Sequence, residues 1–207
     1  MFNVVTIARE YGSGGADIGR KVAELLNWEC VDKQILEHAT ETEKVDSKWA
    51  ESADEHSYAW WERVMYGFRK GDPSLMTAGA PAATPVDYDA MQKITASVIQ
   101  HAADAGNCVI IGRSSQCVLH RHPHVLHVSI YAPLAAKLER MKLRHPHEKD
   151  LHALLQKKDA DRARYTHTYY GCDGLDRKLY HLCLNSSLGV DICADIIVKI
   201  LQISNGA

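Results

Sequence analysis

The sequence predicts an α/β fold: a parallel sheet covered by helices on both faces. Three observations lead there. Short apolar runs alternate with amphipathic runs of helical period along the chain. The first apolar run passes through a cluster of glycines directly into the first amphipathic run. With 207 residues, 46% of them hydrophobic and 24% charged, the chain can bury a core of one-domain size.

The elements follow in order. Phe2 to Ala8 reads as a buried strand, and Ile18, Val22, Leu25 and Leu26 mark one face of a helix opened by Asp17. A second strand ends at Asp32, which can cap a helix from Lys33 to about Lys44. The segment YAWWERVMYGFRK, Tyr58 to Lys70, has the pattern of an amphipathic helix with an aromatic side, and TAGAPAATP at 77–85 suits a connection. Met91, Ile94, Val98 and Ala102 share a face of a helix over about Asp89 to Ala105. Cys108 to Ile111 and Val125 to Ala132 are strands. Leu134, Leu138 and Met141 mark a helix, and a basic helical stretch runs from about Glu148 to His167. Leu182 to Leu184 and Asp191 to Ile203 supply a last strand and helix.

Charge and composition exclude several functions. Lys plus Arg is 24 against 26 for Asp plus Glu, a formal charge of -2, so bulk nucleic-acid binding is not expected. No uncharged apolar run approaches the roughly 18 to 20 residues of a membrane span, and Met1-Phe2-Asn3 opens without a basic leader, so a cytoplasmic soluble protein is expected. The cysteines at 30, 108, 117, 172, 183 and 193 form no C-x-x-C pair and read as buried reduced thiols. His120, His122, His124 and His127 alternate around Pro123, as at a loop-to-strand boundary; alternation divides their rings between two faces and argues against a shared metal. Residues 29–62 carry ten acids against three bases, whereas 137–168 carry nine bases against five acids. The basic segment is either a solvated helix face or a surface that meets a small polyanion.

REYGSGGADIGRK, residues 9–21, places glycines at 12, 14, 15 and 19 between the first strand and the first helix. Such a loop can offer backbone N–H groups and a helix N-terminus to a phosphate; it also suits any tight turn. The pattern G-x-x-x-x-G-K-[ST] is not met, because Gly14 and Gly19 have its spacing but Arg20-Lys21 follows. A phosphate loop beginning near Arg9 would put the usual lysine near Gly15.

With this loop, the chain resembles the cytidylate kinase-like family, a branch of the P-loop nucleoside monophosphate kinases. VVTIAREYGSGGADIGRKVAELL is similar to the family's strand, loop and helix, and VDKQIL, CVIIGRSSQCVL, VSIYAPLAAKLERM, DADRARYTHTYYG and YHLCLNSS follow its later blocks in order. The likeness covers most of residues 2–37 and 88–203 and is weak between about 40 and 87. It implies a single domain on a three-layer P-loop NTPase-type sheet of about five parallel strands. The core would span about 1–37 and 88–203, a helical acceptor-binding insertion about 38–87, and a lid about 145–175.

The resemblance also implies ATP and Mg2+ as cofactors, nucleotide substrates as partners, and residue roles. Gly12, Ser13, Gly14, Gly15, Ala16, Asp17 and Arg20 would bind the nucleotide, with Ser13 or Asp17 on the metal; Asp17 serves equally well as a helix cap. Asp32 would face the acceptor or act only as a cap. Arg113 would grip a monophosphate or base edge through its planar fork. The family pattern has an acid next, where Ser114 stands here. Lys157, Asp161, Arg162 and Arg164 would form the lid, with Arg113, Arg162 and Arg164 acting in catalysis and Lys157 and Asp161 toward the acceptor. Arg162 and Arg164 are two apart and face different sides of a regular helix.

Two explanations stand for the missing lysine. Arg20, Lys21, Arg9 or a lid arginine supplies its charge, or the protein binds nucleotide without efficient transfer. The leading expectation is therefore ATP-dependent phosphoryl transfer to a nucleoside monophosphate, CMP or dCMP first. The alternatives are a regulatory nucleotide-binding module and a P-loop kinase for another small acceptor, the last motivated by Trp49, Tyr58, Trp60, Trp61 and Tyr66 in the weakly matched segment.

Overall fold

A computed structural model describes residues 1–32 and 88–206. Among these, five strands form one parallel sheet in the order β2-β3-β1-β4-β5. They are β1 (Val4–Arg9), β2 (Glu29–Val31), β3 (Cys108–Ile111), β4 (Val125–Tyr131) and β5 (Leu182–Asn185). The helices are α1 (Gly15–Leu26), α2 (Tyr88–Ala105), the short α3 (Ser115–Val118), α4 (Leu134–Arg144), α5 (Leu151–Tyr170) and α6 (Val190–Gly206). The expected helices over 33–44 and 58–70, the connection at 77–85 and the insertion at 38–87 lie outside the described residues.

The period-2 alternation of β1 divides the core into two layers. Val4 joins Ile94, Val98, Ile99 and Ala102 of α2 with Cys108 and Ile110 of β3. Val5 and Ile7 point the other way and join Ile18 and Val22 of α1, Ile111 of β3, and Cys193, Ala194 and Ile197 of α6. A parallel sheet so covered is largely apolar on both faces, which explains the buried runs VVTI and CVII, with Thr6 the one hydroxyl among them. Because β1 lies between β3 and β4, its carboxyl end is where the chain's crossovers diverge to opposite sides of the sheet. That is the usual crevice for a ligand in an open α/β fold.

Most elements lie where the sequence places them, with three corrections at α1 and the cysteines. The helix is not opened by Asp17: its N-cap is Gly14, in the left-handed region at φ 78°, and Asp17 sits in the first turn. Leu25 is 45% exposed, and Gly19 and Ala23 take its place on the buried face. Of the cysteines, Cys108, Cys117 and Cys193 are buried, but Cys30 and Cys172 are partly exposed and Cys183 is exposed.

The histidine cluster resolves into separate roles. His127 is buried on β4 opposite Thr6, whose hydroxyl lies 2.7 Å from Nδ1. Its ring stacks on His181 with centroids 5.4 Å apart. No group of three or more metal-ligating side chains occurs among the described residues. No helix among them is long and apolar enough to cross a membrane.

Burial, reinforced by the neighbouring His181, pushes the His127 pKa down to about 4 from 6.5. Between those values the unfolded chain binds the proton and the folded chain does not. The stability contribution is therefore complete above pH 6.5 and is lost as pH falls toward 4. His127→Gln should flatten the loss between pH 7 and pH 5 by about 2 kcal/mol. Urea unfolding of both proteins at the two pH values checks this, and parallel declines would show that His127 is not responsible.

Candidate active site at the carboxyl edge of the sheet

The loop from Glu10 to Gly14 joins the central strand to α1 and is closed from within. Ser13 is fully buried, and both its N–H and its hydroxyl donate to the Glu10 carbonyl, at 3.3 and 2.9 Å. Gly14 then turns the chain into α1. The N–H groups of Gly14, Gly15 and Ala16 have no backbone acceptor among the described residues. They are the free donors of a helix N-terminus, a disposition that receives anions.

The outer side of the loop is held by residues not singled out in the sequence. Arg140 of α4 donates through Nη1 to the carbonyls of Gly12 (3.3 Å) and Ser13 (3.1 Å), and to Ser186 Oγ (3.2 Å). Its Nη2 donates to the Ser186 carbonyl at 3.1 Å. By engaging the carbonyls, Arg140 leaves the N–H side of the loop to a ligand. Lys137 lies 3.2 Å from Glu10 and 3.6 Å from Asp159, and the Asp159 carboxylate accepts the Tyr11 N–H at 2.6 Å.

Helix α5, the expected lid, is regular and sorts its side chains by face. Leu155, Asp159, Arg162 and Thr166, spaced four, three and four, turn inward. Arg162 donates to the Arg9 carbonyl at 2.8 Å and lies over the Tyr11 ring at 5.3 Å. Burial lowers its pKa. Lys157, Asp161 and Arg164 lie on the exposed side; the Arg164 side chain is 76% exposed and 3.9 Å from Asp161. The inward spacing is present in the sequence, with Leu155 and Thr166 as its markers, whereas the basic Lys157 and Arg164 belong to the other face.

Arg113 follows β3 at the same edge. Gly112, Arg113 and Ser114 are three successive residues in the left-handed region, at φ 76°, 54° and 53°. Such backbone is costly for non-glycine residues and is held only where surrounding structure enforces it. The enforcing contact is the buried Ser114 hydroxyl, 2.8 Å from that of Thr166, which itself donates to the Arg162 carbonyl at 3.0 Å. Ser114 thus fastens the turn to α5.

Asp32, Arg20 and Asp17 complete the edge. Arg20 lies 2.8 Å from Asp17 and 3.7 Å from Asp32. Asp17 also meets Arg144 at 2.6 Å, so its carboxylate is held between two guanidinium groups. These donors do not fit a protein-held Mg2+: Ser13 faces into its loop, Asp17 is doubly paired, and Ala16 offers no hydroxyl. The loop does fit a nucleotide's phosphates, with N–H donors on one side and its carbonyls bound on the other.

A central strand, a glycine loop and a helix N-terminus ringed by arginines define a P-loop protein of the kinase type. The model of the cytidylate kinase-like family matches residues 4–188, and the chain belongs to that family. No curated protein matches the sequence. The fold is similar to that of an uncharacterized protein from Eubacterium ventriosum ATCC 27560, at 20% identity over 96% of this chain and 98% of that one, TM-score 0.68. It is also similar to shikimate kinase from Bacteroides thetaiotaomicron (12% identity, 96% and 98% covered, TM-score 0.50). A sugar kinase from Janibacter sp. HTCC2649 is a third likeness (16% identity, 98% and 96% covered, TM-score 0.50).

Removing the outer support should loosen the loop. Arg140→Ala is expected to cost about 2 kcal/mol, as for charged hydrogen bonds to partly buried groups, and to speed amide exchange at residues 12–16. Denaturant unfolding and hydrogen exchange measure both, and unchanged exchange in the loop would mean that it keeps its shape without Arg140.

Proposed function

We propose that the protein transfers the γ-phosphoryl group of ATP to a nucleoside monophosphate, with CMP or dCMP as the first acceptors to test. The observation that carries this reading is the clustering of Arg162, Arg113 and Arg20 about Arg9, the last residue of the strand that leads into the glycine loop. Phosphoryl transfer requires in-line alignment and positive charge on the transferring oxygens more than it requires a protein nucleophile. The acceptor's phosphate oxygen would form the new P–O bond as the bond to the β–γ bridging oxygen breaks, giving a diphosphate and ADP. In this reading the loop holds the donor's phosphates, Arg162 bridges loop and lid, and Arg113 grips the acceptor phosphate. Asp32, beside β2, faces the acceptor. The choice of CMP or dCMP rests on the family likeness.

A second reading, nucleotide binding without turnover, is favoured by one observation: the loop lacks both its usual lysine and a hydroxyl suited to a metal. A product-resolved assay with ATP, Mg2+ and CMP, dCMP, UMP, AMP or GMP separates the two. Diphosphate from one acceptor is expected. Arg113→Ala should lower kcat/KM for that acceptor by about 1.5 to 3 kcal/mol. Bound ATP with no product in any lane would select the second reading, and an unchanged kcat/KM in a folded variant would remove Arg113 from the site.

A further inference from the structure

We propose that Arg9 is the cation that holds the donor's polyphosphate, standing in for the lysine absent at Gly15. This rests on the reading of the loop as a nucleoside triphosphate cradle and assigns that cradle's charge to a residue of the strand. Arg9 is the last residue of β1, opposite Ile130 of β4, and its side chain shares a face with Val5 and Ile7, the face covered by α1. From there it runs past the first residue of α1 and across the end of β3.

Two glycines make that path. A Cβ at Gly15 would lie 2.7 Å from the Cβ of Arg9 and 3.3 Å from its Cγ. A Cβ at Gly112 would fall on the Arg9 guanidinium itself. In this backbone a side chain at position 15 therefore excludes any side chain at position 9, and glycine at 15 is what admits the arginine's stem. The Arg9 carbonyl, bound by Arg162, fixes the backbone from which the side chain departs.

Among the described residues, the charge around Arg9 is unbalanced. Its electrostatic neighbours are Arg162, Arg113 and Arg20, with Asp32 opposing them. Burial and those cations draw its pKa down to about 10, which still leaves it protonated at neutral pH. No carboxylate among the described residues comes within ion-pair distance of Arg9. A half-buried cation among other cations opposes folding unless an anion joins it. A planar guanidinium can give a phosphate two parallel hydrogen bonds, and the Arg9 stem passes Gly15, one of the loop residues whose N–H has no backbone acceptor among the described residues.

The test compares ATP, ADP and AMP binding by calorimetry, together with thermal melting, for the full chain and its variants. Arg9→Met should weaken ATP about ten- to a hundredfold, the range for a lost charged hydrogen bond, and leave AMP within about twofold. Its melting temperature without nucleotide should hold or rise, because repulsion is relieved. A merely structural arginine would instead lower that melting temperature and weaken ATP and AMP alike, which would overturn the assignment. Gly15→Lys alone should destabilise the protein. An Arg9→Gly background removes the Cβ that blocks position 15 and leaves the Ile130 Cβ at 3.2 Å as the nearest contact, and Arg9→Gly/Gly15→Lys should bind ATP at least about tenfold better than Arg9→Gly. Absence of that rescue, or full ATP affinity in Arg9→Met, would sink the proposal. Wild-type protein without measurable ATP affinity would sink the triphosphate reading as well, so the two failures are distinguishable.

Discussion

Repulsion among arginines is the constraint around which the carboxyl edge of the sheet is organised. Arg162, Arg113 and Arg20 each act on Arg9 there, and among the described residues Asp32 is the carboxylate that opposes them. Left to solvent, such groups would spread apart. They stay together because each backbone or stem is anchored elsewhere: Arg9 by the central strand, Arg113 by the turn that Ser114 ties to α5, Arg162 by the Arg9 carbonyl and the Tyr11 ring, Arg20 by Asp17. Like charges brought close in a partly desolvated crevice raise the free energy of the folded chain and lower that of a bound polyanion. The fold thus gives up stability at this edge in favour of ligand affinity.

The loop needs external support for the same reason. A phosphate loop with its own lysine carries its charge on the helix that follows. Here the charge comes from the strand, from the turn after β3 and from α5, so the relative placement of three elements matters. The network from Glu10 through Lys137 and Asp159 to the Tyr11 N–H ties α4 and α5 to the loop. The Ser114 and Thr166 hydroxyls tie the turn after β3 to α5. Three successive left-handed residues at 112–114 are the local strain that this joint sustains. A loop insertion at either joint would displace an arginine without touching the glycine loop.

Much of the fold was legible in the sequence. Aliphatic runs such as CVII can only be buried strands at this length, and their alternation with helical patterns specifies a parallel sheet. The short α3 was not legible, because SQCV has no helical period and forms only where Ser114 is fixed against α5. Of the site, the glycine loop, Arg113 and Arg162 were visible as motifs. Arg140 and Lys137 were hidden in LAAKLERMKLR, where they resemble any solvated basic face, and only the packing of α4 against the loop distinguishes them. Lys157, Asp161 and Arg164 show the converse: dense charge marks a helix as basic but does not say which side meets the sheet. The buried pair Leu155 and Thr166 says it, through their spacing.

The comparison with other kinases of this fold turns on what a P-loop must provide rather than on a motif. Shikimate kinase from Bacteroides thetaiotaomicron shares the fold at 12% identity, so the sheet and its crossovers persist with few common side chains. What the fold fixes is the crevice at the end of β1, the helix N-terminus and the free N–H groups. The positive charge needs only to arrive at that crevice, and the strand before the loop is as close to it as the helix after the loop. Two side chains cannot occupy the space between β1, α1 and the end of β3. A glycine at 15 with an arginine at 9 fills it from one side, as a lysine at 15 with a glycine at 9 would from the other. The glycine at 112 extends the first arrangement, because it opens the path by which the longer guanidinium reaches the neighbourhood of Arg113 and Asp32. The departure from the lysine-bearing pattern is then a relocation of charge within one crevice, and the geometry of Gly15 and Gly112 is what makes that relocation self-consistent.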